Sequence, residues 1–259
     1  MRIRVISLTT PAHLLATLKR LFPLAEVDVQ RGVDVRKVDV SHLHNANLIT
    51  HGAAHVLRNG RKWHHELSSK GAIGVAHANR MALLDRPEEP LLLMEDDAVI
   101  KDEGAFVRAI HILLDRQDLF DVAAFGVNVN ASDTQAAVGL PPDWVRVHGM
   151  FHLMHAVLYT PSARRTIGEY LRDSPLEMQI DSLLGSLAKQ GVIRIVASSS
   201  RIVKQSTHVS SIQEFMGSGI LCHINPHEPY TLLTIAMAAA VLAVVLVLNT
   251  ARTRHRCRA

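Results

Sequence analysis

Leu91-Leu92-Leu93-Met94 runs directly into three consecutive carboxylates, Glu95-Asp96-Asp97. An apolar run this short does not span a membrane. It reads as a strand buried on both faces, as in parallel sheets. In open α/β sheets, ligands collect beyond the carboxyl ends of such strands. Three adjacent acids repel one another there unless a cation offsets them. Carboxylate oxygens suit hard divalent metals, and Mg²⁺ or Mn²⁺ commonly bridges them to substrate phosphates. A solvated acidic turn after a core strand is the alternative reading of the same residues.

Strand and helix signals alternate on either side of this motif. Ile3–Leu8 is strand-like, and Ala12–Leu21 carries a helical period that Pro23 stops. Val27, Val29, Val33, Val35, Val38 and Val40 alternate with polar residues, which predicts extended structure around Arg31-Gly32. Residues 45–67 read as a loop with a short helix. Gly71–Leu84 reads as a helix with Ile73, Ala76, Met81 and Leu84 on one face. Ala105–Leu114 is amphipathic, Val122–Val127 is a buried strand, and Asn128–Asp143 is a polar loop. Trp144–Val147 and Leu153–Tyr159 follow as strands. Pro161 opens a helix at its favoured first position. Met178–Ala188 is a further helix, closed by Gly191 before the strand Val192–Val196. The pattern predicts a mixed, mostly parallel α/β sheet in one domain flanked by helices.

Composition narrows the partners. Lys and Arg total 28 against 24 acids, but Arg252, Arg254, Arg256 and Arg258 sit in an acid-free tail. Without them the two counts are equal at 24. A neutral body with only 4% aromatic residues has neither the charge nor the stacking surface expected of a nucleic-acid binder, so no nucleic-acid partner is expected. Cys222 and Cys257 are the only cysteines, too few for a disulfide framework or a cysteine-rich zinc site.

The uncharged segment Pro229–Ala251 is long enough to cross a bilayer, with Tyr230 at one end and the arginine tail at the other. A membrane lipid bilayer is therefore an expected partner, and association should resist alkaline extraction. Two orientation rules conflict. The arginine tail favours a cytoplasmic C-terminus. Met1–Leu21, interrupted by Arg2, Arg4 and Pro11, does not resemble a secretory signal that would translocate the body. A short tail crosses more readily than a whole domain, so the expectation is a single-pass protein with a C-terminal anchor and a cytosolic body. The organisation is then residues 1–214 as the catalytic body, 215–228 as linker, 229–251 as the membrane helix and 252–259 as a basic tail.

The order of short motifs resembles glycosyltransferase family 25, which includes bacterial lipopolysaccharide glycosyltransferases and collagen galactosyltransferases. The residues that carry it are Gly71-Ala72-Ile73-Gly74-Val75-Ala76, Met94-Glu95-Asp96-Asp97-Ala98, His155-Ala156-Val157-Leu158-Tyr159-Thr160-Pro161, Gln179-Ile180-Asp181-Ser182-Leu183-Leu184 and Ser210-Ser211-Ile212-Gln213. They span roughly residues 1–213. The sequence departs from the family at Ala78-Asn79, where a Ser-His pair is usual, with His77 two residues earlier. It departs again at Thr9-Thr10-Pro11-Ala12-His13, and at Ser211, where Asp is common.

The resemblance implies a GT-A-like fold and transfer of a hexose, such as galactose, from a nucleotide-sugar donor to a glycan, lipid-linked or glycoprotein acceptor. The acids would be its Asp-X-Asp equivalent. Glu95 and Asp97 share a face if strand geometry persists through them. Asp97 is then the preferred direct ligand of Mn²⁺ or Mg²⁺, with Glu95 or Asp96 contacting the metal through water or holding the donor ribose. His208 is the candidate third ligand or phosphate contact. Asp181 is the candidate general base for an inverting transfer, with a first-turn helix acid as its alternative role. His148, His152 and His155 read as ordinary polar positions beside a strand. Two other classes fit the same motifs: a different metal-dependent phosphoester enzyme, and an inactive, membrane-tethered binding module.

Overall fold

The computed structural model describes residues 1–206, apart from positions 61, 62, 64, 68, 130, 150 and 153. His208, the Ser210–Gln213 motif, the Pro229–Ala251 segment and the Asn130 position of an Asn-X-Ser sequence lie outside the described residues. Among the described residues, no helix is long and apolar enough to cross a membrane.

The chain opens with β1 (Arg2–Ser7), α1 (Ala12–Leu21) and β2 (Glu26–Arg31). Two short helices follow, α2 (Val40–Asn45) and α3 (His51–Asn59), and then the long α4 (Lys70–Leu84). The acid motif lies between β3 (Leu91–Glu95) and β4 (Ala98–Ile100), ahead of α5 (Glu103–Asp115) and β5 (Val122–Ala124). Small strands come next: β6 (Asn128–Val129), β7 (Thr134–Ala136), β8 (Trp144–Val147) and β9 (Phe151–His152). The chain continues through β10 (Ala156–Tyr159), α6 (Pro161–Asp173), α7 (Ile180–Lys189), β11 (Ile195–Ser198) and β12 (Val203–Gln205).

Eight strands form one sheet in the order β2-β1-β3-β10-β5-β11-β8-β7. Strands β10 and β8 run against the others, so the sheet is mixed with most strands pointing one way. Alternation along β3 feeds two core layers. Leu91 and Leu93 pack with residues of α4, α6 and α7, while Leu92 and Met94 pack with residues of α1 and α5. Burial on both faces is what the uninterrupted Leu91–Met94 run requires.

Several expectations need correction. The valine alternation ends as a strand at Arg31. Val35 is instead buried with Leu43, Ile49, Ala53 and Ile73 in a small separate core under α2 and α3. The side of α4 expected to be apolar is displaced, because Met81 is half exposed while Ala72, Ala78, Ala82 and Leu83 are buried. Ile73 and Ala76 are buried as expected, and small residues on the neighbouring side let the helix approach closely. A Cβ at Gly74 would lie 2.2 Å from the Val33 carbonyl oxygen, so the backbone approach needs glycine there. The Asn128–Asp143 loop contains β6 and β7.

Arg164, fully buried on α6, joins helix to strand. Its guanidinium donates to the carbonyls of Ala82 (2.9 Å), Asp85 (2.5 Å), Arg86 (2.7 Å) and Glu89 (2.6 Å). The last turn of α4 carries no basic residue of its own, so Arg164 supplies that charge from another element. Burial, together with Arg2 and Arg4 nearby, lowers its pKa to about 10. At the same end of β1, buried Arg2 bridges Asp28 (3.1 Å) and Asp85 (2.9 Å), and Arg4 pairs with the same two acids.

Candidate metal centre

Strands β1, β2 and β3 are parallel, so Ser7, Arg31 and Glu95 all lie at one edge of the sheet. Antiparallel β10 begins at that edge. Its register pairs Ala156 with Met94 and places His155 beside Glu95, whose backbone N–H donates to the His155 carbonyl (3.0 Å). His155 is 2% exposed, and its Nδ1 lies 2.9 Å from Glu95 Oε2 and 3.8 Å from Asp97 Oδ1. Strand geometry stops at Glu95 and the chain turns through Asp96 and Asp97. Glu95 and Asp97 nonetheless converge, because both face this histidine.

One donor atom from each of Glu95, Asp97 and His155 lies within 4.8 Å of the others. Two oxygens and an imidazole nitrogen at that spacing fit a divalent transition-metal ion. Asp97 divides its carboxylate. Oδ2 accepts from Gln205 Nε2 (2.8 Å), whereas Oδ1 is buried with no hydrogen-bond donor. A buried carboxylate oxygen in that condition has a lone pair to offer a cation, a water or a proton. The Ser206 N–H donates to the Asp97 carbonyl (2.8 Å), so β12 clamps the turn from outside. Asp96 is set apart. It is exposed, and its Oδ2 accepts from Ser7 Oγ (2.5 Å), which ties the acid turn to β1.

Two cavities flank the acids. A cleft of about 200 Å³ lies between the ends of β1 and β2, the start of α4, and Glu95, Asp96 and Asp97, with Ser7, Gly32 and Gly74 in its wall. A second, of about 380 Å³, lies between the start of α1 and β4, and shares Asp96 and Asp97. His77 lines a separate small cavity with Val35, Leu48 and Leu176. Asn79 and Ala78, at the positions of the family's usual Ser-His pair, are buried. Asn79 lies beneath the acids, lining a void of about 10 Å³ with Glu95 and Tyr159.

Asp181 occupies the first turn of α7, behind the N-cap Gln179. Its Oδ1 accepts from the Ser182 N–H (2.7 Å), and its Oδ2 lies 3.9 Å from His152 Nδ1. It is among the residues of neither cavity beside the acids. The structure thus brings Glu95 and Asp97 together and leaves Asp96 on their rim. It adds His155, which local sequence gives no reason to single out. The signal that finds His155 is the pairing of β10 with β3, a contact between residues 60 apart.

Electrostatics set a pH dependence. Burial pulls the His155 pKa down, but the hydrogen bond to Glu95 and the charges of Glu95 and Asp97 outweigh it, and the net shift is upward. Burial, then the Glu95 charge, pushes Asp97 above the ordinary carboxylate range. Both groups hold protons more tightly folded than unfolded. The His155 contribution is therefore complete below 6.5, its unfolded reference value, and is lost as pH rises through its higher folded value. His77, lowered by burial and then by Arg80, has the opposite slope. A metal ion needs the deprotonated ligands. The gain in thermal midpoint on adding Mn²⁺ is therefore expected to grow between pH 6 and pH 8. A gain independent of pH would count against these ligands.

No family model and no curated protein matches this chain. Solved structures with a similar trace include UDP-glucose pyrophosphorylase complexed with UDP-glucose, at 14% identity and TM-score 0.43, covering 76% of this chain and 89% of that one. CMP:2-keto-3-deoxy-manno-octonic acid synthetase complexed with CTP is 10% identical with TM-score 0.40, covering 92% and 97%. UTP-bound UGPase from Acinetobacter baumannii is 11% identical with TM-score 0.42, covering 76% and 85%. At these values the likeness carries no functional weight.

Proposed function

We propose that this chain is a metal-dependent transferase that takes a hexosyl group from a nucleotide sugar, on a GT-A-like sheet. One observation carries the reading: Glu95, Asp97 and buried His155 converge at the end of β3, in contact with a cleft closed by the ends of β1 and β2. Departure of a nucleoside diphosphate builds charge on phosphate oxygens. A divalent ion held by Asp97, Glu95 and His155 would offset that charge as a Lewis acid. The imidazole nitrogen favours Mn²⁺ over Mg²⁺, which prefers an all-oxygen shell. Asp96, held by Ser7 at the rim, would meet the donor ribose. His208, three residues past Gln205 in sequence, remains the candidate for a further ligand or a phosphate contact.

The inactive-module alternative draws on Ala78-Asn79 and on Ser211, which lies outside the described residues. The Ala78 and Asn79 side chains are buried, Asn79 beneath Glu95, so the departure alters support of the site and leaves its three ligands in place. Thermal titration with Mn²⁺ and a panel of nucleoside diphosphates tests the reading. Binding at a hundredfold over Kd should stabilise the protein by about 2.7 kcal/mol. One nucleotide should stand out, and only with metal. A panel without response would discard the transferase, and hydrolysis of phosphoester model substrates without an acceptor would favour the phosphoester enzyme.

A further inference from the structure

We propose that His152 is the catalytic base that takes the acceptor's hydroxyl proton, and that Asp181 is the positioning residue that orients its ring. This rests on the transferase reading above and goes beyond it, because it moves the base from the carboxylate to the imidazole. Phe151 is fully buried and anchors β9 in the core, so its neighbour His152 turns to the opposite, open side. Pairing of Asn128 with His152 holds that strand. Asp181 comes from the first turn of α7, where the helix N-terminus favours an ionised carboxylate. Its two oxygens have separate tasks: Oδ1 accepts from the Ser182 N–H, and Oδ2 faces His152 Nδ1 at 3.9 Å.

Exposure orders the pair. The His152 side chain is 36% exposed and that of Asp181 16%, so the imidazole is the more open of the two. A distance of 3.9 Å is longer than a hydrogen bond. Base–orienter contacts in free enzymes are often long and tighten when substrate binds. Once tightened to a hydrogen bond, Asp181 at Nδ1 would fix the tautomer in which Nε2 is the proton acceptor. Imidazole, with a reference pKa of about 6.5, is better matched to a proton transfer near neutral pH than a carboxylate of about 3.9. His152 is three residues from the metal ligand His155, so their Cα atoms lie within about 11 Å of each other, which keeps the base within a sugar's reach of the metal ligands.

The step balances as follows. The acceptor O–H gives its proton to His152 Nε2, and the oxygen's electron pair forms a bond to the sugar's anomeric carbon. The bond from that carbon to the diphosphate oxygen breaks, and its electrons leave with the nucleoside diphosphate. The imidazolium then returns its proton to water.

The test measures turnover and Mn²⁺-dependent donor affinity in the full chain with His152→Ala, His152→Gln and Asp181→Asn. For His152→Ala, kcat should fall by about a hundredfold or more with donor affinity unchanged, and added imidazole should restore part of the rate. His152→Gln keeps the volume and should show the same loss of kcat. Asp181→Asn should lower kcat without responding to imidazole. Turnover of His152→Ala close to that of the wild type, or a loss that imidazole does not relieve, overturns the assignment of the base while leaving the transferase standing. A wild-type chain that transfers no sugar to any acceptor overturns both.

Discussion

Replacing Asp97 by Asn is expected to abolish metal-dependent nucleotide binding while leaving the fold intact. The amide oxygen of the new side chain would still accept from Gln205, so the clamp from β12 survives. The charge on the buried, donorless Oδ1 is lost, and so is the repulsion from Glu95 that helps raise the Asp97 pKa. Mutating residues that only support a metal ligand typically costs 10- to 100-fold in affinity, so loss of a direct ligand should cost at least about a hundredfold. The metal-free variant should be close to the parent in stability, since relief of the burial cost and of the repulsion from Glu95 offsets the lost attraction to His155. Isothermal titration with the preferred nucleotide, with and without Mn²⁺, reads the first effect, and thermal unfolding in EDTA reads the second. Unchanged nucleotide affinity in Mn²⁺ would remove Asp97 from the site.

Arg164→Met should produce a large loss of stability at a position away from the site. The substitution keeps the length of the side chain and deletes the donors to the carbonyls of Ala82, Asp85, Arg86 and Glu89. Each buried carbonyl left without a donor costs about 1–3 kcal/mol, and some will recover water in the loop between α4 and β3. Removing a buried guanidinium next to Arg2 and Arg4 offsets part of the loss. The net expectation is about 3 kcal/mol, read as a lower urea midpoint with an unchanged slope. Arg164→Lys should recover little of it, because one ammonium does not span four carbonyls. A change under about 1 kcal/mol would mean that the loop satisfies these groups without Arg164.

Local pattern carries much of the architecture. The boundaries of α1 and of β8 match the sequence reading, and β3 matches to within one residue. These elements have a strong period or a sharp stop: Pro23 after α1, the acids after β3, and Pro161 opening α6. Pattern misleads where the period is ambiguous. The valines at 33, 35, 38 and 40 alternate like a strand, yet Asp39 caps a helix by accepting from the Ser41 N–H (2.7 Å), and Val35 is drawn under α2. The spacing in α4 favours a face of large residues, while the close approach at Gly74 selects its alanine-rich side.

The acids at 95–97 and their position beyond a doubly buried strand were determined by the sequence alone. So were the alternation of strands and helices and the first-turn position of Asp181. A buried apolar run has to end at a sheet edge, and the residues that follow it must face solvent or a ligand. Only the tertiary structure decided which groups meet there. His155 reaches Glu95 through the antiparallel register of β10, and Gln205 reaches Asp97 through β12. His152 meets Asp181 because α7 packs beside β9. These partners lie far apart along the chain. No local propensity encodes them, and the register of the sheet brings them together.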